Sequence, residues 1–179
     1  MQLYRRTFLM ELKQSTLEEI IESERQLVVN ADRRYGTYYR HARACSVFLS
    51  RCITSIDHER LMFCRFFSLM KKHHMLALLS TLRLHKVQSM MNLRQSLEAG
   101  AAAAFAIANP ELEHFAETDA DGLLDPTQEL TKRRYQWLAR NFSAGSDAIK
   151  RKKDIINNSA AHANIVSTDQ TFRVNESGI

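Results

Sequence analysis

The segment from 74 to 109 is rich in Leu, Met and Ala, but three charged residues lie where its apolar stripe is expected. On a helical projection, Arg83 and Arg94 fall inside the apolar arc and Glu98 falls at its edge. Arg94 and Glu98 are four residues apart, so their side chains can pair along one helix face. Because an unpaired buried charge costs on the order of several kcal/mol, these side chains need partners.

Two interpretations of this pair remain open. It is either a structural ion pair that ties its helix to neighbouring helices, or a polar site in which Arg94 anchors an anion and Glu98 orients it or acts as a base. His162 shares a face of the last helical pattern with Ile155 and Ser159, and an imidazole beside such a pair suits proton transfer. The candidate catalytic residues are therefore Arg94, Glu98 and His162, and the alternative for His162 is a satisfied core histidine.

Basic residues concentrate in the C-terminal third of the chain. The net charge is +5, and residues 132–154 carry eight bases and two acids, whereas residues 110–131 carry seven acids and no base. With Tyr135 and Trp137 interleaved, two basic runs could contact phosphates and stack a base. The alternative is a set of solvated helix faces. The candidate nucleic-acid-binding residues are Lys132, Arg133, Arg134, Lys150, Arg151, Lys152 and Lys153.

The sequence has no signature of a metal or a cofactor. Its three cysteines lie in apolar helical patterns, which predicts buried, reduced thiols and a cytoplasmic protein. A zinc site needs four ligands, and no CxxC or HxxxH spacing occurs. No P-loop or dinucleotide fingerprint is present either, so we expect no bound metal and no cofactor. The longest uncharged apolar run, 99–108, is too short to cross a membrane, which takes about 20 residues.

The spacing of apolar residues predicts an all-α protein. We expect one helical domain over 1–179, built as a bundle of about five to six helices around a long central helix at about 74–109. Its Ala99–Ala104 run suits a close contact between helices, and an interruption is expected near Lys71–His74. Residues 167–179 lack a helical period and are expected to form a loop or a truncated tail. Helix starts are expected at Ser15 or Thr16, near Tyr38, at Asp57, at Asp125 and at Ser146, and the helix from Asp125 is expected to end near Asn141.

Two stretches, LRQSLEAGAAAAFAIANPE and NNSAAHANIV, resemble prokaryotic helical proteins allied to the HEPN superfamily. The resemblance covers about residues 74–166, and the matching motif positions are Arg94, Glu98, Ser159 and His162. It implies a helical fold, a homodimer, a setting in bacterial defence or stress and, for some members, metal-independent ribonuclease activity. The Arg-to-His spacing of four to six residues that those ribonucleases carry late in the domain is missing before His162.

Three functions follow as expectations. The first is an interaction or nucleic-acid-associated module whose partner is RNA or another polyanion. The second is a metal-independent ribonuclease that uses Arg94, Glu98 and His162. The third is a structural oligomerisation domain, and no membrane partner is expected.

Overall fold

A computed structural model describes residues 15–160, with side chains up to residue 158. It confirms the all-α class, because most of these residues are helical and the only strands described are two of two residues each. The described helices are α1 (Leu17–Val29), α2 (Ala31–Tyr35), α3 (Thr37–Arg51), α4 (Leu61–Leu82), α5 (Lys86–Ala108), α6 (Gln128–Asn141) and α7 (Ser143–Ala160). Between them lie the 3₁₀ turns His58–Arg60 and Leu112–His114 and the antiparallel strand pair β1 (Glu117–Thr118) and β2 (Leu124–Asp125). The predicted tail, 167–179, lies outside the described residues.

The central element is a helical hairpin and not the single helix predicted at 74–109. Helix α4 runs without a break through Lys71–His74, where an interruption was expected, and ends at Leu82. Leu84 then adopts a left-handed conformation with φ of 66°, and its N–H donates to the Thr81 carbonyl at 3.1 Å. Because α5 begins only at Lys86, the predicted helix spans the end of one helix, a turn and a second helix.

Helices α4 and α5 lie antiparallel and closely packed. Ser96 Oγ donates to the Met70 carbonyl at 3.1 Å, and Thr81 Oγ1 lies 2.6 Å from Ser89 Oγ near the turn. A Cβ atom on Gly100 would lie 3.1 Å from Met70 Sδ. This close approach depends on small side chains, which confirms the expected role of the alanine run. The buried alanines of α5 are Ala99, Ala101, Ala102, Ala103 and Ala106.

An aromatic cluster joins the hairpin to the C-terminal helices. Phe105 of α5 is 2% exposed and packs edge-on against Trp137 of α6, with ring centroids 5.3 Å apart. Phe115 contacts Phe105 at 5.6 Å and Phe66 of α4 at 4.9 Å. This cluster fixes α6 against α5, and α7 packs on both.

The N-terminal helices pack more loosely against the other side of the hairpin. Helix α1 has no buried residue, and α3 buries only Ser46, whose Oγ lies 3.2 Å from His74 Nδ1. Glu24 ties α1 to the hairpin turn through His85 Nε2 at 2.8 Å and Arg83 Nε at 3.7 Å. The prediction that Arg83 lies in a buried stripe is wrong, because the helix ends there and the side chain is 46% exposed.

Local sequence signals located some helix ends and missed others. Thr16 and Glu19 form the predicted capping box of α1. The predicted start at Asp125 is wrong, because Asp125 pairs with Glu117 in the strand pair and Thr127 caps α6 instead. Helix α6 does end at Asn141, as predicted, whereas α7 begins at Ser143 and not at Ser146.

The three cysteines are free thiols, but the expectation that they are buried is wrong for two of them. Cys45 and Cys52 are exposed, and Cys64 is partly buried. Cys45 lies on α3, whose only buried residue is Ser46, and Cys52 directly follows the end of that helix. None of the helices within residues 15–160 has the length and apolarity needed to cross a bilayer.

Candidate functional site: a charged cluster between α5, α6 and α7

Glu98 lies at the centre of a charged cluster. Its Oε1 atom is 3.2 Å from Arg94 Nε on the preceding turn of α5 and 2.8 Å from Lys153 Nζ on α7. The Arg94–Glu98 pairing predicted from the spacing of four residues is confirmed. Arg94 also donates from a terminal nitrogen to Asn157 Oδ1 at 2.7 Å. The pair therefore connects α5 to Lys153 and Asn157, which lie one turn apart on α7.

Helix α6 closes the cluster from a third side. Lys153 Nζ donates to the Tyr135 hydroxyl at 3.1 Å and lies 4.7 Å from the centre of the Tyr135 ring. Arg134 precedes Tyr135, is partly buried and is attracted to the Glu98 charge. Two cations therefore contact the carboxylate, and the attraction of Arg134 to it makes three cations for one acid, an excess of two positive charges.

The surroundings hold these groups in their charged forms. Burial alone would raise the pKa of Glu98, but hydrogen bonds and attraction from Lys153 and Arg94 outweigh it, so that pKa is lowered. Burial would likewise lower the pKa of Lys153, but its bonds to Glu98 and Tyr135 raise that pKa. Burial lowers the pKa of Arg134, with Tyr135 and Glu98 opposing it. An arginine stays protonated in proteins all the same.

These pKa directions bear on the chemistry of the cluster. A carboxylate with a lowered pKa binds a proton weakly, so Glu98 is a poor general base near neutral pH. The positive excess around Glu98 suits attraction of an anion instead. The side chains of Arg94, Glu98 and Lys153 are 34%, 30% and 20% exposed, so solvent and ligands can reach the cluster.

A groove of about 300 Å³ opens beside the cluster. Lys153 and Asn157 line it, so the groove and the cluster share side chains. Lys150 and the acid Asp154 also line the groove, and each lies three residues before one of them along α7. The remaining lining residues are Tyr135, Ser146 and Ile149. The groove thus combines an aromatic ring with amine, amide and hydroxyl groups that can bond to phosphate oxygens.

The seven predicted nucleic-acid-binding residues divide into two groups. Arg134 and Lys153 are partly buried and belong to the cluster. The other five side chains are exposed on α6 and α7, and they are Lys132, Arg133, Lys150, Arg151 and Lys152.

Of the predicted catalytic set, the structure brings Arg94 and Glu98 together. His162 lies outside the described residues, and the side chain of Ser159 is not described. Asn157 is a contact that the sequence interpretation missed. Its spacing of four residues from Lys153 was the available signal, because such residues share a helix face.

No group of three His, Cys, Asp or Glu side chains that could hold a metal occurs between residues 15 and 160. No protein-family model, curated protein or solved structure matches the chain.

Proposed function

We propose that this chain is a cytoplasmic RNA-binding module that contacts phosphates through α6, α7 and the cluster around Glu98. One observation carries the proposal: Arg94 and Lys153 both contact the Glu98 carboxylate, Lys153 also lines a groove, and exposed lysine and arginine side chains follow along α7. A site with excess positive charge attracts a polyanion and gives it a place to bind. The resemblance to HEPN proteins favours RNA among polyanions.

Salt dependence of binding tests the proposal. Anisotropy of a labelled single-stranded RNA should show log affinity falling linearly with log salt, by about 0.7 for each phosphate contact. A double variant, Lys150→Ala with Lys152→Ala, should weaken binding and reduce the slope by about 1.4.

A matched control removes two exposed bases from α4. Arg65→Ala with Lys72→Ala changes the net charge equally, but α4 is not among the helices that form the cluster. This control should bind nearly as the wild type does. A flat salt slope for the wild type, or equal losses in the two double variants, would contradict a phosphate site on α7.

A structural oligomerisation role is a second candidate with its own supporting observation. The first turns of α1 expose Leu17, Ile20 and Ile21, which share one helix face. Burial of such side chains between two copies would stabilise a homodimer. Sedimentation velocity of the wild type beside Ile21→Ser measures this: a monomer at all concentrations contradicts the role, and a dimer lost in Ile21→Ser supports it.

A further inference from the structure

Three tyrosines occur within five residues where α2 meets α3. Tyr35 ends α2, Gly36 turns the chain with φ of 51°, and Tyr38 and Tyr39 lie in the first turn of α3. All three line one groove of about 310 Å³ between α3 and the α4–α5 hairpin. Its volume and its largely apolar, aromatic lining are those of a small-ligand pocket at the lower end of the usual size range.

The groove also offers polar groups. Thr81 and Ser89 contribute hydroxyls from the two sides of the hairpin turn, and their oxygens are 2.6 Å apart. His74 lines the groove as well, and its Nδ1 atom is occupied by Ser46 Oγ at 3.2 Å. Nε2 is then the ring nitrogen available to a ligand. Flat walls with a few hydrogen-bonding groups suit a heteroaromatic ring.

The helices that carry the tyrosines are strongly basic. Residues 31–51 contain five arginines and one acid, Asp32. That acid pairs with Arg40 at 3.3 Å. Within residues 15–160, no acid lies at ion-pair distance from the other four, which are Arg33, Arg34, Arg43 and Arg51.

One of these arginines contacts a tyrosine of the groove, and another precedes it in the chain. The Arg34 guanidinium carbon lies 5.6 Å from the centre of the Tyr35 ring. Arg33 and Arg34 both line a second groove beside α1, together with Ser23, Gln26 and Asn30. Arg34 therefore connects an aromatic groove to a second groove whose polar side chains include two arginines.

Tyr38 is the most exposed large apolar side chain of the described region, at 86%. An aromatic ring displayed on a basic helix is the arrangement with which proteins stack unpaired bases. The bases of a duplex are already stacked and paired, so they cannot enter a groove between helices without being extruded.

We propose that the α2–α3 face binds single-stranded nucleic acid, with an unpaired base in the tyrosine groove and neighbouring phosphates at Arg33 and Arg34. This site lies on other helices than the α6–α7 surface and goes beyond the function proposed for that surface.

The test compares Tyr38 variants of the full chain. The probes are a fluorescein-labelled 12-nucleotide oligoadenylate and a duplex of equal length, both measured by anisotropy. Tyr38→Ala should weaken binding of the single strand by about tenfold, whereas Tyr38→Phe keeps the stacking face and should bind as the wild type does. Phe48→Ala is the matched control, because Phe48 is 64% exposed on the same helix and does not line the groove.

Arg34→Ala provides a second variant that leaves the aromatic rings in place. It should reduce the salt slope by about 0.7, which is the contribution of one phosphate contact to a single strand. Wild-type affinity in Tyr38→Ala, equal affinity for duplex and single strand, or a Tyr38-dependent interaction with anionic lipid vesicles in place of RNA would overturn the proposal.

The two proposals fail separately. If the double variant of Lys150 and Lys152 loses affinity while Tyr38→Ala does not, the α6–α7 proposal stands and this one is wrong. If Tyr38→Ala alone loses affinity, the α2–α3 site stands and the α6–α7 proposal is wrong.

Discussion

The Glu98 carboxylate joins α5 to α7 directly and to α6 through Lys153. It accepts hydrogen bonds from Arg94 and Lys153, and Lys153 in turn reaches Tyr135 on α6. Removing the acid would leave partly buried cations without a counter-charge. The resulting loss of folding stability should lie between the loss for an exposed ion pair and the loss for a fully buried one.

Glu98→Gln should lower the free energy of unfolding at pH 7 by about 1 to 2 kcal/mol. Because the folded-state pKa of Glu98 is lowered, its contribution is complete above the unfolded pKa of about 4.3 and is lost as pH falls through the lower folded pKa. The variant should therefore show a smaller loss of stability than the wild type as pH falls below about 5. Denaturant unfolding at several pH values measures both effects.

The control for this experiment is Glu113→Gln. Glu113 is an exposed acid outside the cluster, so its replacement should leave both the stability and the pH profile unchanged. Identical acid profiles for the wild type and Glu98→Gln would refute the stabilising role of the ionised carboxylate.

Lys153 sets the alkaline end of the pH range over which this ion pair stabilises the fold. Its folded-state pKa is raised, so its contribution is complete below the unfolded pKa of about 10.4 and is lost as pH rises through the higher folded pKa. The Glu98–Lys153 pair should therefore stabilise the fold from about pH 5 to about pH 10. Lys153→Met should remove the alkaline part of the wild-type profile, which the same unfolding series at pH 9 to 11 measures; an unchanged profile would contradict this assignment.

The sequence could reveal only the part of this cluster that lies within one helix. Arg94 and Glu98 are one helical turn apart, and helix geometry alone brings them together. Lys153 and Asn157 come from more than fifty residues further along the chain. Their approach depends on how α7 packs against α5, and no local pattern encodes that packing.

At the scale of the elements, the α4–α5 turn carries a strained residue. Leu84 has φ of 66°, a conformation that costs a residue with a Cβ atom about 1 to 2 kcal/mol. Glycine adopts it without that cost but loses more entropy on folding. Leu84→Gly should therefore raise the free energy of unfolding by about 0.5 kcal/mol, which thermal or urea unfolding measures.

Val87→Gly is the matched control. Val87 is similarly exposed and apolar but lies in the helical conformation of α5, so glycine there should lower stability by about 1 kcal/mol. If Leu84→Gly is destabilised as much as Val87→Gly, the left-handed conformation of Leu84 is not a source of strain.

The same turn explains why the central element was only partly predictable. Apolar periodicity correctly indicated helix on both sides of it, and Asn109-Pro110 correctly marked the end of α5 near Ala108. The residues 83–85 contain neither Gly nor Pro, which are the usual signals of a turn. The hairpin forms there because the alanine face of α5 can pack closely on α4. The stabilisation comes from this tertiary packing and not from the sequence of the turn.

At the scale of the whole molecule, packing is uneven along the chain. Helix α5 contains seven buried residues, whereas α1 contains none, and α2 and α3 contain one each. Local opening costs least where few side chains are buried. The N-terminal helices should therefore open more readily than the hairpin and its C-terminal partners.

Hydrogen exchange should show this difference. Amides in the middle of α1 and α3 should exchange faster than those of α5, because their opening exposes little apolar surface.

Fluorescence of Trp137, the only tryptophan, reports the aromatic cluster, so its thermal transition should occur at a higher temperature than the first loss of helical circular dichroism. Coincident transitions and uniform protection would show instead that the helices unfold as one cooperative unit.

The exposed thiol of Cys45 on α3 has a practical consequence. Cys45 follows Tyr38 by seven residues, which places the two on the same side of the helix about 10 Å apart along its axis. A native attachment point for a fluorophore therefore stands beside the tyrosine groove, where no engineered cysteine is needed. With Cys52 and Cys64 replaced by serine, a dye on Cys45 would report occupation of that groove directly, while the α6–α7 surface stays unlabelled.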